Sequence, residues 1–273
     1  MAPDLKKENP PKKNNLVLRV ISALVMLPAA IYLILTGGLP FFILINFLTI
    51  LILMEWNGIT TGKPFSLVVA IQILCAILIM LQINFASPYI ELAFASSVVS
   101  VIAVAYLAKV KIKWAITGFL YALLPSASFL IINETGGGYV ILWMMIVIWS
   151  MDTGAYFVGK SVGGPKMSPK ISPNKTWSGL IGGAITAMLM SAIYMIIVEN
   201  QNVKLFEDVT ILLFLSGVLA ILSQIGDLAE SAVKRKFNIK DSGSIIPGHG
   251  GVMDRLDGIL FVAPAVVLLV FML

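Results

Sequence analysis

The chain has 273 residues, of which 59% are apolar and only 12% charged, with a formal net charge of +5. A soluble domain carries about 25% charged and about 45–50% apolar residues, so this composition excludes an ordinary soluble fold and defines a polytopic membrane protein. A single cysteine, Cys75, excludes an intrachain disulfide framework or a cysteine metal site.

Residues 1–15 are polar, basic and proline-containing, and read as a disordered cytoplasmic tail. The apolar run after them is long and has no clean small-residue cleavage site, so it reads as a first membrane helix rather than a signal peptide. A span takes about 20 apolar residues. Nine stretches meet or approach that length: Leu16–Thr36, Pro40–Trp56, Ser66–Ile83, Pro88–Leu107, Trp114–Asn133, Gly138–Val158, Trp177–Val198, Val209–Val233 and Val252–Leu273. The expected fold is therefore all-α, with about nine transmembrane helices. Residues 16–133 form a scaffold that offers little chemistry, because Arg19, Glu55 and Glu91 lie near span ends, within reach of the interface. Residues 134–273 carry the candidate active site.

Charge sets the orientation. Alternating spans put Lys63, then Lys109, Lys111 and Lys113, then Lys160, Lys166, Lys170 and Lys175, and finally Lys234, Arg235, Lys236 and Lys240 on the side of the N-terminus. The opposite loops hold Glu134, Glu199, Glu207, Asp208 and one base, Lys204. The bias toward cytoplasmic lysine and arginine places the N-terminus in the cytoplasm. These lysines also favour anionic lipid headgroups, so the positive charge calls for no nucleic-acid partner.

Chemistry concentrates in three clusters. The segment 226–258 holds Asp227, Glu230, Asp241, Asp254 and Asp257 between two apolar runs. Asp227 and Glu230 are three apart and share a helix face, and Asp254 and Asp257 repeat the spacing. Two such helices could converge on a divalent cation, and hard oxygen ligands suit Mg²⁺. The same acids could instead pair with Lys234, Arg235 and Arg255 as structural salt bridges.

The second cluster is the loop ahead of Asp254, where Gly248, Gly250 and Gly251 surround the only histidine, His249. Glycines let a backbone approach phosphate, and N–H groups at a helix start favour it; such loops also simply make turns. His249 is a candidate phosphate donor or proton carrier. The third cluster joins Asp152 to the lysine- and proline-rich segment through Lys175 and Thr176. It reads either as a cradle for a nucleoside triphosphate, with Tyr156 or Trp177 stacking on the base, or as a solvated basic loop.

These residues carry a resemblance. Ser231-Ala-Val-Lys-Arg-Lys through Lys240-Asp241, Pro247-Gly-His-Gly-Gly and Met253-Asp-Arg-Leu-Asp257 resemble the signature of the phosphatidate cytidylyltransferases, or CDP-diacylglycerol synthases. Asp152-Thr-Gly-Ala-Tyr, Gly159-Lys160 and Ser172-Pro-Asn-Lys-Thr176 are similar to a second stretch of that family. The resemblance is detailed from about Asp152 to Gly258.

The resemblance implies a nucleotidyltransferase that converts CTP and phosphatidate to CDP-diacylglycerol and pyrophosphate. It implies Mg²⁺, with room for a second cation, and a homodimer; separately, the lysine bias sets the site toward the cytoplasm, and the expected location is a bacterial inner membrane. Asp227 and Asp254 would lead the metal ligands, helped by Glu230, Asp257 and Asp241. Lys234, Arg235, His249 and Arg255 join Asp227 and Asp254 as catalytic candidates. Asp152, Lys160, Lys166, Lys175, Thr176, Ser231, Lys240, Gly248, Gly250 and Gly251 are the substrate-binding candidates. The rivals are another membrane transferase, such as a CDP-alcohol phosphatidyltransferase or a dolichol kinase, and a transporter. A CDP-alcohol phosphatidyltransferase expects a single D-G-…-A-R-…-G-…-D-…-D run that this sequence lacks, and a transporter expects paired broken helices in two halves.

Overall fold

A computed structural model describes residues 14–199, 208–245 and 250–272. All but the last two residues of the expected N-terminal tail fall outside these ranges, as do Gly248 and His249. Nine helices lie among the described residues: α1 (Asn14–Thr36), α2 (Gly38–Thr61), α3 (Leu67–Asn84), α4 (Ile90–Leu107), α5 (Ile112–Thr135), α6 (Gly137–Val162), α7 (Trp177–Glu199), α8 (Val209–Lys236) and α9 (Met253–Met272). They correspond one for one to the nine apolar stretches. Seven of them, α2 to α8, are long and apolar enough to cross a membrane. In lipid a backbone must satisfy its own polar groups, which is why such runs fold as helices. The chain is an integral membrane protein.

The short link between α6 and α7 departs from the all-helical expectation. Lys166–Ser168 (β1) and Ser172–Thr176 (β2) pair as an antiparallel ribbon, with Lys166 opposite Thr176 and Ser168 opposite Ser172. Pro169 follows Ser168, and Ile171 N donates to Ser168 O at 3.2 Å, closing a four-residue turn with proline at its favoured second position. The ribbon starts from Gly163 and Gly164, whose φ of 67° and 105° suit only glycine well. Charge and proline had masked the strand pairing.

Small residues decide which helices touch. A Cβ on Gly183 of α7 would stand 2.6 Å from Met151 Sδ and 2.7 Å from Met151 O on α6. One on Gly179 would stand 2.8 Å from Ala155 O. This seam lets two backbones approach closely, as membrane helices do where burial from water drives nothing. A Cβ on Gly226 of α8 would likewise come 2.8 Å from Asp257 O on α9. Around these seams a continuous core includes Leu53, Met80, Phe119, Ile141, Trp143, Leu212 and Val262, each almost wholly buried.

Candidate active site

The late turns of α2, α6 and α8 and the first turns of α5, α7 and α9 share one end of the bundle, and most of the chemistry-bearing residues are there. Helix α8 is the spine of the site. Its last turns carry Asp227, Glu230, Ser231 and Lys234, and the closing Lys234, Arg235 and Lys236 complement the negative end of the helix dipole.

Lys234 ties α8 to α9. Its Nζ donates to Glu230 Oε1 at 3.1 Å and to Asp254 Oδ1 at 2.7 Å. The Glu230 side chain is fully buried, with the other oxygen taken by the Tyr121 hydroxyl from α5 at 2.9 Å. An ionised carboxylate in such a place needs partners on both oxygens, and it has them. Asp254 also accepts from the backbone N–H of Ser242, at 3.1 Å on Oδ1 and 2.9 Å on Oδ2, and from Gly251 N on Oδ2 at 3.0 Å. It draws the two ends of the loop between α8 and α9 together. Gly250, at φ 87°, sits where a Cβ would meet Asp254 Oδ2 at 3.1 Å.

A second group lies one turn deeper along α8. Lys175 of β2 pairs with Asp227 Oδ2 at 2.5 Å, and Ser231 Oγ donates to Asp227 Oδ1 at 3.2 Å. Asp152 of α6 accepts from Gln224 Nε2 at 2.9 Å and lies within electrostatic reach of Lys175 and Asp227. Asp257 of α9 lies within electrostatic reach of Asp227, Glu230 and Asp152, and accepts from Gly258 N at 2.8 Å. Five acids, Asp152, Asp227, Glu230, Asp254 and Asp257, and two lysines thus form one polar ensemble, with Asp254 at its loop-side edge.

Other candidates from the sequence have different surroundings, and Gly248 and His249 lie outside the described residues. Arg235 is exposed and donates to Ile171 O at 3.4 Å and Ile239 O at 3.1 Å, which ties the ribbon to the end of α8. Lys160 is exposed, with its Nζ 5.6 Å over the Tyr156 ring. Thr176 is buried and accepts from Gly179 N at 3.1 Å, capping α7. Lys166, Lys240, Asp241 and Arg255 are exposed at the same end. Lys234 pairs with Glu230 and Asp254, two of the acids that the sequence offers as metal ligands.

Three participants escaped the sequence reading. Glu55 of α2 does not reach an interface; it is 4% exposed and accepts from Val252 N and Met253 N, each at 2.8 Å, and from Ser242 Oγ at 3.1 Å. Tyr121 and Gln224 supply the bonds named above. An acid inside an apolar run was the available signal for Glu55, since charge within a span is expensive unless it is used.

Among the described residues no three acidic, histidine or cysteine side chains form a metal cage on their own. Mg²⁺ usually binds through one or two carboxylates, completing its octahedron with water and substrate phosphate. The hard carboxylate oxygens of Asp227, Asp254 and Asp257 are of the donor type that pattern uses.

Beside the polar ensemble lies an apolar groove of about 420 Å³ between α5, α8 and α9. Trp56, Leu120, Leu124, Phe261 and Pro264 line it, and Glu230 and Tyr121 stand in its wall. A membrane-embedded bundle with lysines and carboxylates clustered at one end, flanked by a greasy slot, defines a class: an enzyme that brings an anionic polar substrate to a lipid.

Comparison with known proteins narrows the class. The cytidylyltransferase family matches this chain over residues 17–273. A phosphatidate cytidylyltransferase of Staphylococcus aureus (strain COL) is 35% identical over 256 residues, covering 90% of this chain and 96% of that protein. Phosphatidate cytidylyltransferases of Bacillus subtilis (strain 168) and Brucella suis biovar 1 are 46% identical over 124 residues and 45% identical over 160. These stretches cover 45% and 58% of this chain, and 44% and 56% of the two relatives. The chain belongs to the phosphatidate cytidylyltransferase family and is a nucleotidyltransferase.

Proposed function

We propose that the protein transfers a cytidylyl group from CTP to phosphatidate, releasing pyrophosphate and forming CDP-diacylglycerol, with Mg²⁺, at the cytoplasmic face of a bacterial inner membrane. The observation that carries this reading is the Lys175–Asp227 and Lys234–Asp254 ensemble beside the apolar groove, in a chain of this family.

The nucleophile comes with the lipid. A phosphate monoester has a second pKa near 6, by analogy with phosphoserine, so it is largely dianionic near neutral pH and needs no strong general base. One of its oxygens attacks the α-phosphorus of CTP, the bond from that phosphorus to the bridging oxygen of the β-phosphate breaks, and pyrophosphate leaves with the electron pair. The obstacle is repulsion between two polyanions. Lys175 and Lys234 offset it, and both ammonium groups are held in place by carboxylates before substrate arrives. Asp227 and Asp254 would lead the ligands to Mg²⁺, helped by Asp257, while Asp254 and Glu230 also hold Lys234. When bound, the cation would supply Lewis-acid stabilisation of charge on the phosphates. The groove between α5, α8 and α9 suits an acyl chain, and Tyr121 and Glu230 mark its polar end.

Nine spans with a cytoplasmic N-terminus follow from the lysine bias, which puts the site end of the bundle in the cytoplasm. A homodimer accords with the family resemblance. The decisive experiment is pyrophosphate release from CTP by purified protein, with and without phosphatidate. Release that depends on phosphatidate, stops with a chelator and returns with Mg²⁺ is the expected result. Release that is indifferent to phosphatidate, or none at all, defeats the proposal.

A further inference from the structure

Glu55 is the only acid in α2, and both of its oxygens are engaged far along the chain. Oε1 accepts from Val252 N, while Oε2 accepts from Met253 N and from Ser242 Oγ. The two backbone donors lead into α9, so the carboxylate satisfies N–H groups that a helix start leaves without intrahelical partners. The surrounding chain is shaped to admit it. A Cβ on Gly243 would stand 2.7 Å from Glu55 Oε1, and one on Gly251 would stand 2.8 Å from both Glu55 oxygens. Asp254 grips the same two strands of chain from the other side, through Ser242 N and Gly251 N. Glu55 and Asp254 therefore share one junction, and Lys234 hangs on Asp254.

We infer that Glu55 is a positioning residue, which fixes the junction of Ser242 with residues 251–253 and thereby sets where Asp254 presents Lys234 to the nucleotide phosphates. With three donors on its two oxygens, it acts through that junction and not as a metal ligand. Its kinetic consequences rest on the cytidylyl-transfer reading above; its structural consequences do not.

The test uses the full chain in lipid nanodiscs, with Glu55→Gln, Glu55→Ala, Ser242→Ala and Gly243→Ala. Hydrogen exchange of residues 250–256, measured without metal or substrate, is expected to quicken about tenfold in Glu55→Ala, and less in Glu55→Gln, which keeps one acceptor oxygen. In pyrophosphate release, kcat/KM for CTP is expected to fall about tenfold per folded molecule in Glu55→Ala, with partial rescue in Glu55→Gln and less than about a twofold change in KM for phosphatidate. Glu55→Gln combined with Asp254→Asn should be less than additive, since both act on one junction.

Unchanged exchange in both Glu55 variants overturns the inference. So does quickened exchange with unaltered kinetic constants, which leaves Glu55 a fold contact only. If Glu55→Ala does not fold, Glu55→Gln, Ser242→Ala and Gly243→Ala carry the same two readouts. If the unmodified protein releases no pyrophosphate, the cytidylyl-transfer reading fails, and the exchange measurement alone decides whether Glu55 holds the junction.

Discussion

Lys234 Nζ stands 2.7 Å from Asp254 Oδ1 and joins the last turn of α8 to the first turn of α9. The same ammonium also holds the buried Glu230. One cation thus neutralises two acids that would otherwise repel each other in a poorly solvated place, and the pair of helices depends on it.

Lys234→Ala is expected to destabilise the protein by about 3–5 kcal/mol, because it strands Glu230 and Asp254 together without a counter-charge. A fall in the midpoint of thermal unfolding in detergent, together with loss of pyrophosphate release, is the expected pattern. An unaltered midpoint would mean that the three groups are not coupled.

Tyr121→Phe removes one donor from a buried carboxylate and keeps the ring. A hydrogen bond to a charged group is worth about 1.5–3 kcal/mol, so a moderate loss of stability is expected. The ring packs on Trp56 at 5.0 Å and on Phe261 at 6.3 Å and should still line the groove. Thermal unfolding of this variant beside Glu230→Gln and the double variant should give a non-additive cycle. Additive losses would separate the two residues.

Lys175→Met and Asp227→Asn should each depress cytidylyl transfer, and the double variant should lose less than the product of the two, because Lys175 and Asp227 form one ion pair. The measurement is kcat/KM for CTP. Multiplicative losses would place the two groups in separate roles.

Gly118→Ala tests the wall of the groove. A Cβ there would overlap the Trp56 ring, whose Nε1 donates to Trp114 O at 2.9 Å. Overpacking typically costs about 1–3 kcal/mol, and here it should also displace Trp56 from the groove. A raised KM for phosphatidate, with KM for CTP little changed, is expected. The reverse split would place the lipid elsewhere.

Much of this architecture was legible in the order of residues. Nine apolar runs gave nine helices because hydropathy and helix formation are local, and in lipid a run of that length has few other ways to satisfy its backbone. The crowding of Asp227, Glu230, Lys234, Asp254 and Asp257 near the C-terminus was equally plain, since charge beside long apolar runs signals use. The pairing of Lys175 with Asp227 was not: spacing placed each in a candidate cluster, but only the ribbon's fold onto α8 made them partners. Asp254 stood out by spacing as a candidate ligand; what spacing could not show is that its oxygens accept from Lys234, Ser242 and Gly251.

By itself, then, the chain determined its helices, its charge asymmetry and the family to which it belongs. The tertiary structure alone decided that Glu55 and Tyr121, from the half that looked inert, complete the polar end. The physical reason is that these bonds join residues 109 to 198 positions apart. Which helices meet is settled by close glycine seams such as Gly226 against Asp257, and no local pattern announces what will face what across such a seam.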